Sequence, residues 1–373
     1  MFTTSEKTMN ILNILKLCGG FLFRWVGFPV EPKLLKIGNP DENSPVLLTS
    51  NFNITVYRVV KALKNIDCWL LIAPSNGINV WCGACGDDFL TSSVLSILKT
   101  SDIGNKVNHR KLILPQLSAC GLDPIEIKEK SGWNVKFGPV YAKDIPEYIK
   151  NNFQKTKSQR EVIFPIAARL EMANMYFMML TIILSIIYSI CAIFIDKLDW
   201  FVYLDMICLC AVMNYGALFS VPYLKLNSGR RKMIIFETFI IGLIILFYFF
   251  IWLDFFVLIW NLVFSLFFML ILSEDLHGLT PIYKSELGNA NWNKGKKTMN
   301  VIIAEYKLNP YGKISINREN CIGCGVCIDV CPRNVYIMNE SDKKVDLLDP
   351  IKCINCNACV HRCLAQCLTI LPD

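Results

Sequence analysis

Short apolar runs bounded by turn residues alternate with stretches of helical period over residues 40–165. Val46-Leu47-Leu48-Thr49, Trp69-Leu70-Leu71-Ile72 and Leu112-Ile113-Leu114 have strand length and continuous apolar character. Strands covered on both faces of a parallel sheet read this way. Between them, apolar residues at 56, 59, 60 and 63 mark one face of a helix. The alternation predicts a layered α/β domain of Rossmann-like type over residues 1–165, with ligands beyond the C-terminal ends of its strands. Residues 9–30 are apolar but carry Lys16 and Arg24, and no small-residue cleavage site follows. An amphipathic surface helix is expected there rather than a secretory signal.

Residues 172–273 are of a different character. Four apolar stretches, at about 173–195, 200–224, 233–253 and 255–272, each approach the ~20 residues a helix needs to cross ~30 Å of hydrocarbon. Lys155, Lys157, Arg160 and Arg169 precede the first stretch, and Lys225, Arg230, Arg231 and Lys232 lie between the second and third. The other two connections hold Asp196, Lys197 and Asp199, and then Asp254. By the positive-inside rule the basic ends are cytoplasmic, so both flanking domains are expected on the cytoplasmic side of the cell membrane, with lipid as a partner. Glu237 is expected to snorkel to the cytoplasmic interface, Asp205 to sit at the opposite one, and Cys191, Cys208 and Cys210 to be packing thiols. Residues 274–312 form a polar linker, long enough to let a last domain, residues 313–373, return to the first.

Composition sharpens this picture. The 373 residues are 53% hydrophobic and 18% charged, which excludes a disordered or nucleic-acid-tail protein. A net charge of +7 needs no polyanion in so apolar a chain, and no nucleic-acid partner is expected. Of 17 Cys, nine fall between Cys321 and Cys367, a clustering that argues for a metal site over a secreted disulfide scaffold.

Within that cluster the chain repeats itself. Cys321, Cys324, Cys327 and Cys331 recur at a shift of 32 as Cys353, Cys356, Cys359 and Cys363. In the two-cluster C-x2-C-x2-C-x3-C pattern, the fourth Cys of each run serves the other cluster. Cys321, Cys324, Cys327 and Cys363 would then hold one [4Fe-4S] cluster, and Cys353, Cys356, Cys359 and Cys331 the second, in an α+β ferredoxin domain of bacterial two-cluster type. Gly and Asn alternate at matching positions between the ligands, and both tolerate left-handed backbone. Ile322, Ile328, Val330, Val335 and Ile354 are expected to exclude water. Two zinc knuckles are the competing reading. Pro332 follows Cys331, but Leu364 follows Cys363, and Cys367 is an extra thiol expected to be idle in the core.

The first domain contains Asn79-Val80-Trp81-Cys82-Gly83-Ala84-Cys85-Gly86, between an apolar strand and a helical stretch. A Cys at a helix start favours its thiolate, a soft ligand for a transition metal. Gly83 and Ala84 are small enough for a flat ligand to come close. The residues alone leave a redox pair, half a zinc site or two structural thiols open. His109 with Arg110 sits on a polar loop, and neither a Gly-rich phosphate loop nor a Ser/His/Asp arrangement appears.

This segment resembles the cap-helix signature of the mercury-methylating corrinoid proteins, membrane relatives of the corrinoid iron–sulfur proteins of acetyl-CoA metabolism. The resemblance extends to residues 39–47 and 49–51, to Leu114-Pro115-Gln116-Leu117, to Gly138-Pro139-Val140 with Asp144-Ile145-Pro146 and to Leu279-Thr280-Pro281-Ile282-Tyr283-Lys284-Ser285. The C-terminal segment is similar to that family's partner ferredoxin, so the chain looks like a fusion of the two. The resemblance implies a cobalamin-like corrinoid whose cobalt is bound from below by Cys82. Asn79, Val80, Trp81, Gly83 and Ala84 would form the cap, and Thr49, Asn51, Gln116 and Leu117 would line the corrinoid loops. It also implies an enzyme that takes a methyl group from a methyl-folate or methyl-donor protein and passes it to an acceptor such as Hg(II). The ferredoxin domain, fed by an electron donor, would return cobalt to its low-valent state. Cys85 stands where that family has Gly, and Gly86 where it has Lys. Methyl transfer to another acceptor in one-carbon metabolism and a membrane-anchored electron carrier are the alternatives.

Overall fold

The computed structural model describes residues 11–24, 26–163, 165–195, 198–220, 229–252, 254–275, 313–353 and 356–371. The expected linker and the segment 279–285 lie outside these residues. The chain forms two compact units. One holds Gly27–Val162 with the C-terminal lobe, and the other is a set of long helices within Ile163–Leu279.

A helix, α1 (Ile11–Leu22), precedes the first unit's sheet. The sheet comprises β1 (Lys33–Ile37), β2 (Val46–Ser50), β3 (Cys68–Ala73), β4 (Lys111–Leu114) and β5 (Asn134–Phe137), in the order β1-β3-β2-β4-β5. β1 runs antiparallel to β3, while β3, β2, β4 and β5 are parallel. α2 (Asn53–Ala62) joins β2 to β3, α3 (Val80–Cys85) and α4 (Thr91–Thr100) follow β3, and α5 (Pro124–Ser131) joins β4 to β5. α6 (Ile145–Lys150) and α7 (Lys157–Arg160) complete the layer. Alternate residues of the central strands face opposite cores. Val46, Leu48 and Leu71 pack with residues of α3, α4 and α5, whereas Leu47, Leu70 and Ile72 pack with Val56 and Val59 of α2 and Tyr148 of α6. Burial on both faces explains the unbroken apolar runs of the sequence.

The connections open a crevice. β2 leads to its neighbour on one side, β3, and β4 leads to its neighbour on the other, β5. The two strands pair only at Val46–Leu112 and Leu47–Ile113. Beyond that register, their C-terminal ends sit at the point where chain direction switches, the usual ligand-binding place of such sheets.

In the C-terminal lobe, β6 (Lys313–Ile316) pairs antiparallel with β9 (Leu368–Leu371), and β7 (Tyr336–Met338) with β8 (Val345–Leu347). Two short helices, α12 (Val326–Val330) and α13 (Ala358–His361), carry the 32-residue repeat. Gly325 (φ 70°) and Asn357 (φ 54°) occupy the same left-handed position before them, as the Gly/Asn alternation predicts.

This lobe is docked on the α/β domain. Val330 and Ala358 join the apolar cluster of Val80, Ala84 and Cys120. Val162 N–H donates to Pro332 O at 2.8 Å, Arg333 donates to Val162 O at 3.0 Å, and Arg362 pairs with Asp123 at 3.2 Å. Lys155 is the buried pin, with its side chain 2% exposed. Its Nζ donates to Gln116 Oε1 (3.1 Å) and Asp329 O (2.9 Å) and pairs with Asp329 Oδ1 (3.1 Å). Burial pulls its pKa down to about 8, against the opposing pull of Asp329.

The second unit contains α8 (Ile166–Ala192), α9 (Trp200–Ser220), α10 (Gly229–Phe247) and α11 (Phe255–Asp275). The four apolar stretches of the sequence fall on these helices. Among the described residues, α8 and α9 are long and apolar enough to cross a membrane, by length and composition. α8 exposes Ile183, Ile186, Ile187 and Ile190. Glu237 departs from expectation: it is 3% exposed, beside Ser265 of α11, and so faces inward instead of snorkelling outward. Asp205 lies beside Asn261 of α11, inside the helix set rather than at its rim.

Two outcomes follow for stability. A Cβ at Gly121 would lie 1.9 Å from Ala84 O, so Gly121→Ala should push α3 off the domain. The expected cost is about 1–3 kcal/mol, read as a lowered melting midpoint of the purified chain. For Lys155, the folded pKa of about 8 lies below the ordinary 10.5. The unfolded chain therefore binds more protons between those values, and this group's contribution to stability rises with pH across that window. The midpoint difference between wild type and Lys155→Met should move in the wild type's favour from pH 8 to 10.5. A flat difference would contradict the buried placement.

Candidate functional site

Three loops meet the crevice at the strand ends. Thr49 and Ser50 end β2 and Asn51 follows it, all three buried. The Thr49 and Ser50 hydroxyl oxygens have no hydrogen-bond partner among the described residues. Asn51 Oδ1 accepts from Ser75 N (3.0 Å), Ser75 Oγ (2.8 Å) and Gly77 N (3.0 Å), so one side chain fixes the turn after β3. Gly77 takes φ 73° in that turn, where a side chain would be strained.

α3 begins from this turn. Asn79 caps it, its Oδ1 accepting from Cys82 N at 2.9 Å, while its Nδ2 donates to Cys82 Sγ at 3.2 Å. The same side chain thus starts the helix and supplies a donor to the thiol. Cys82 is exposed, and Trp81 beside it packs against the apolar cluster. Val80 is buried. Gly83 and Ala84 are turned inward: a Cβ at 83 would lie 3.0 Å from Phe89 Cβ, and Ala84 O abuts Gly121. Their small size admits the domain's own chain, where the sequence suggested a flat ligand.

Cys85 belongs to a different environment from Cys82. It is buried and hydrogen-bonded to Cys120, whose thiol is pushed well above its usual range by that bond and by burial. Cys120 O accepts a hydrogen bond from His361 Nδ1 at 2.8 Å, and Cys356 and Trp81 both pack against the apolar cluster that holds Cys85 and Cys120. Gln116 is committed to the docked lobe, donating to Arg160 O (2.8 Å) and Val330 O (3.4 Å) as well as accepting from Lys155. Leu117 packs in the same cluster. Cys120, Lys155, Asp329 and His361 were not legible as site residues, because their roles depend on contacts between segments about 170 to 240 positions apart.

The lobe contains two cysteine-lined chambers. Cys321, Cys324, Cys327, Cys363 and Cys367 line the first, and Cys331, Cys353, Cys356 and Cys359 the second. Each chamber thus brings the first three thiols of one run together with the last thiol of the other, Cys363 in the first and Cys331 in the second. Among the described residues, no three His, Cys, Asp or Glu side chains close around a single ion, as a zinc knuckle requires. A cube of four irons spreads its thiolates further apart. Burial pushes the Cys327 and Cys359 thiols up to about 12, so a bound metal must displace their protons. Tyr336 Oη donates to Cys359 Sγ at 3.0 Å, and Val335 N–H to Cys331 Sγ at 3.5 Å. Val330 and Val335 are buried as expected, but Ile322 is 65% exposed at the mouth of the first chamber and does not exclude water. Ile354 lies outside the described residues.

Comparison with known proteins adds a domain-level identity. Residues 25–149 match the family described as CO dehydrogenase/acetyl-CoA synthase delta subunit, and residues 313–364 match the 4Fe-4S dicluster domain. The chain is similar to subunit gamma of the acetyl-CoA decarbonylase/synthase complex of Methanopyrus kandleri, at 38% identity over 123 residues. The corresponding subunits of Methanocaldococcus jannaschii (38% over 128 residues) and Archaeoglobus fulgidus (35% over 126 residues) are also similar. These matches cover 32–34% of this chain and 26% of each relative, so the chain spans about a quarter of the length of the relatives it matches. On these matches the chain joins a CO dehydrogenase/acetyl-CoA synthase delta-subunit domain to a C-terminal 4Fe-4S dicluster domain.

Proposed function

We propose that this chain is a membrane-bound corrinoid iron–sulfur methyltransferase with Hg(II) as its methyl acceptor. The observation that carries the reading is the exposed Cys82 thiol, held by Asn79 beside the crevice, in a chain whose C-terminal lobe has one five-thiol and one four-thiol chamber. The matched domains support the corrinoid and iron–sulfur parts of it. The residues fit such a cofactor: the thiol is exposed, and the Thr49 and Ser50 hydroxyls are buried with no hydrogen-bond partner among the described residues. When bound, a corrinoid supplies a cobalt centre able to carry a methyl group, its reactivity set by the axial ligand.

The protein's own residues then divide the work. Cys82 Sγ would be the protein's thiolate donor to the cobalt. Asn79 Nδ2 stabilises negative charge on that sulfur and keeps it pointed outward. Trp81 braces the cap, and Val80, Gly83 and Ala84 seat it on the domain. Asn51 fixes the turn from which the cap starts, and Thr49 offers a hydroxyl to the ligand. Gln116 and Leu117 hold the crevice wall against the docked lobe. The chambers would hold two [4Fe-4S] clusters, which would supply one-electron redox chemistry, and Cys356 of the second chamber packs against the apolar cluster that includes α3. α8 to α11 anchor the chain in the cytoplasmic membrane, with both domains on the cytoplasmic side. The methyl group comes from a methyl-folate or a methyl-carrying protein. A second reading, transfer to an acceptor in one-carbon metabolism, is favoured by the names of the similar subunits and by Gly86. A Cβ there would lie 2.6 Å from Cys82 O, which leaves no room for the Lys of the resembled family.

Anaerobically purified protein should contain cobalt together with about eight irons per chain. Cys82→Ala should shift the corrinoid absorption bands while leaving iron content unchanged; superimposable spectra would remove the thiolate ligand. Iron without cobalt would leave an electron carrier. Asn79→Ala should cost about 1 kcal/mol through the lost cap and shift the same bands by less. Given a methyl donor, reductant and Hg(II), the protein should form methylmercury. Methyl transfer without that product would select the second reading. The chain should stay with membranes through an alkaline carbonate wash.

A further inference from the structure

We propose that Cys367 is an alternative fourth ligand in the first chamber, able to replace Cys363 on the cluster held by Cys321, Cys324 and Cys327. This rests on the cluster reading above. The repeat itself singles the residue out. A shift of 32 carries Val335 onto Cys367, as it carries Cys331 onto Cys363. The backbone does the same thing at both places: Val335 N–H donates to Cys331 Sγ at 3.5 Å, and Cys367 N–H donates to Cys363 Sγ at 3.3 Å. Val335 is 1% exposed and lines the second chamber, while Cys367 is 7% exposed and lines the first. The fold therefore needs only a small apolar plug at this position, and one of the two chambers has received a thiol instead.

The distance suits exchange. Cys367 Sγ lies 3.4 Å from Cys363 Sγ. At metal–thiolate bonds of ~2.3 Å, two sulfurs on one tetrahedral metal stand roughly 3.7 Å apart. Both sulfurs can thus reach the same iron without a move of the backbone. Cys367 is also the better anchored of the two. Its carbonyl accepts from Asn317 N at 2.8 Å, and the next residue, Leu368, pairs with Ile316 in the β6–β9 ladder. Cys363 is half-buried and is followed by the exposed Leu364. In the exchange, the iron–Cys363 sulfur bond breaks and the iron–Cys367 sulfur bond forms. The proton of the Cys367 thiol passes to Cys363, and no electron is gained or lost. The second chamber has Val335 in place of a spare thiol, so Cys331 has no such substitute.

The test compares Cys363→Ala, Cys367→Ala, the double variant and Cys331→Ala, each purified anaerobically. Iron and acid-labile sulfide are counted, and the reduced clusters are read by electron paramagnetic resonance. Cys363→Ala and Cys367→Ala should each keep about eight irons, whereas the double variant and Cys331→Ala should fall to about four. Cys363→Ala at about four irons, with the second cluster's signal intact, would overturn the proposal. If that variant does not accumulate, alkylation of the wild-type protein decides. Cys363 modified with the first cluster's signal retained supports the exchange, and loss of the signal on modification overturns it. Wild-type protein without iron would overturn both this inference and the reading beneath it.

Discussion

Two stretches of backbone can touch only where a side chain is missing, and Gly121 provides that gap against the carbonyl of Ala84. This contact seats α3 on the turn that follows β4. With α3 seated, Cys85 reaches Cys120, and the Cys120 carbonyl is placed for His361 of the C-terminal lobe. The opposite end of the same short helix holds Cys82 out to solvent under the control of Asn79. One close approach thus sets both what the cap shows to a ligand and what it shows to the iron–sulfur lobe. Lys155 and Asp329 lock that arrangement from the far side of Gln116.

The parts that were legible in the sequence are those whose physics is local. β2, β3 and β4 were readable because burial on both faces leaves continuous apolar runs. β1 and β5 were not identified: Lys33 and Lys36 interrupt the first, and Asn134 and Lys136 the second, as suits strands at sheet edges. The crossed thiol chambers were readable because ligand spacing is a covalent property of the chain. The reversal of Glu237 was not, since a helix of nearly uniform apolarity does not say which face is inward. Nor was the inward turn of Gly83 and Ala84, because a small residue permits close approach without naming what approaches.

The helical unit adds a constraint of its own. Asn214, Glu237, Asn261 and Ser265 are all buried among apolar side chains of α8 to α11. Such groups are costly in a low-dielectric setting unless they find one another. Asn214 and Ser265 answer on their own helices, donating to Cys210 O at 2.7 Å and Leu262 O at 3.1 Å.

The crossed sorting of the two chambers has a consequence for how the C-terminal lobe comes into being. Each chamber draws three thiols from one half of the repeat and its fourth from the other. During synthesis the earlier half emerges with an incomplete set and must wait for Cys363 or Cys367, some thirty residues later. Neither half is a finished module, so maturation is a single joint event. Each half of the duplicated segment is therefore a lining of both compartments, and neither compartment can be assembled from one half alone.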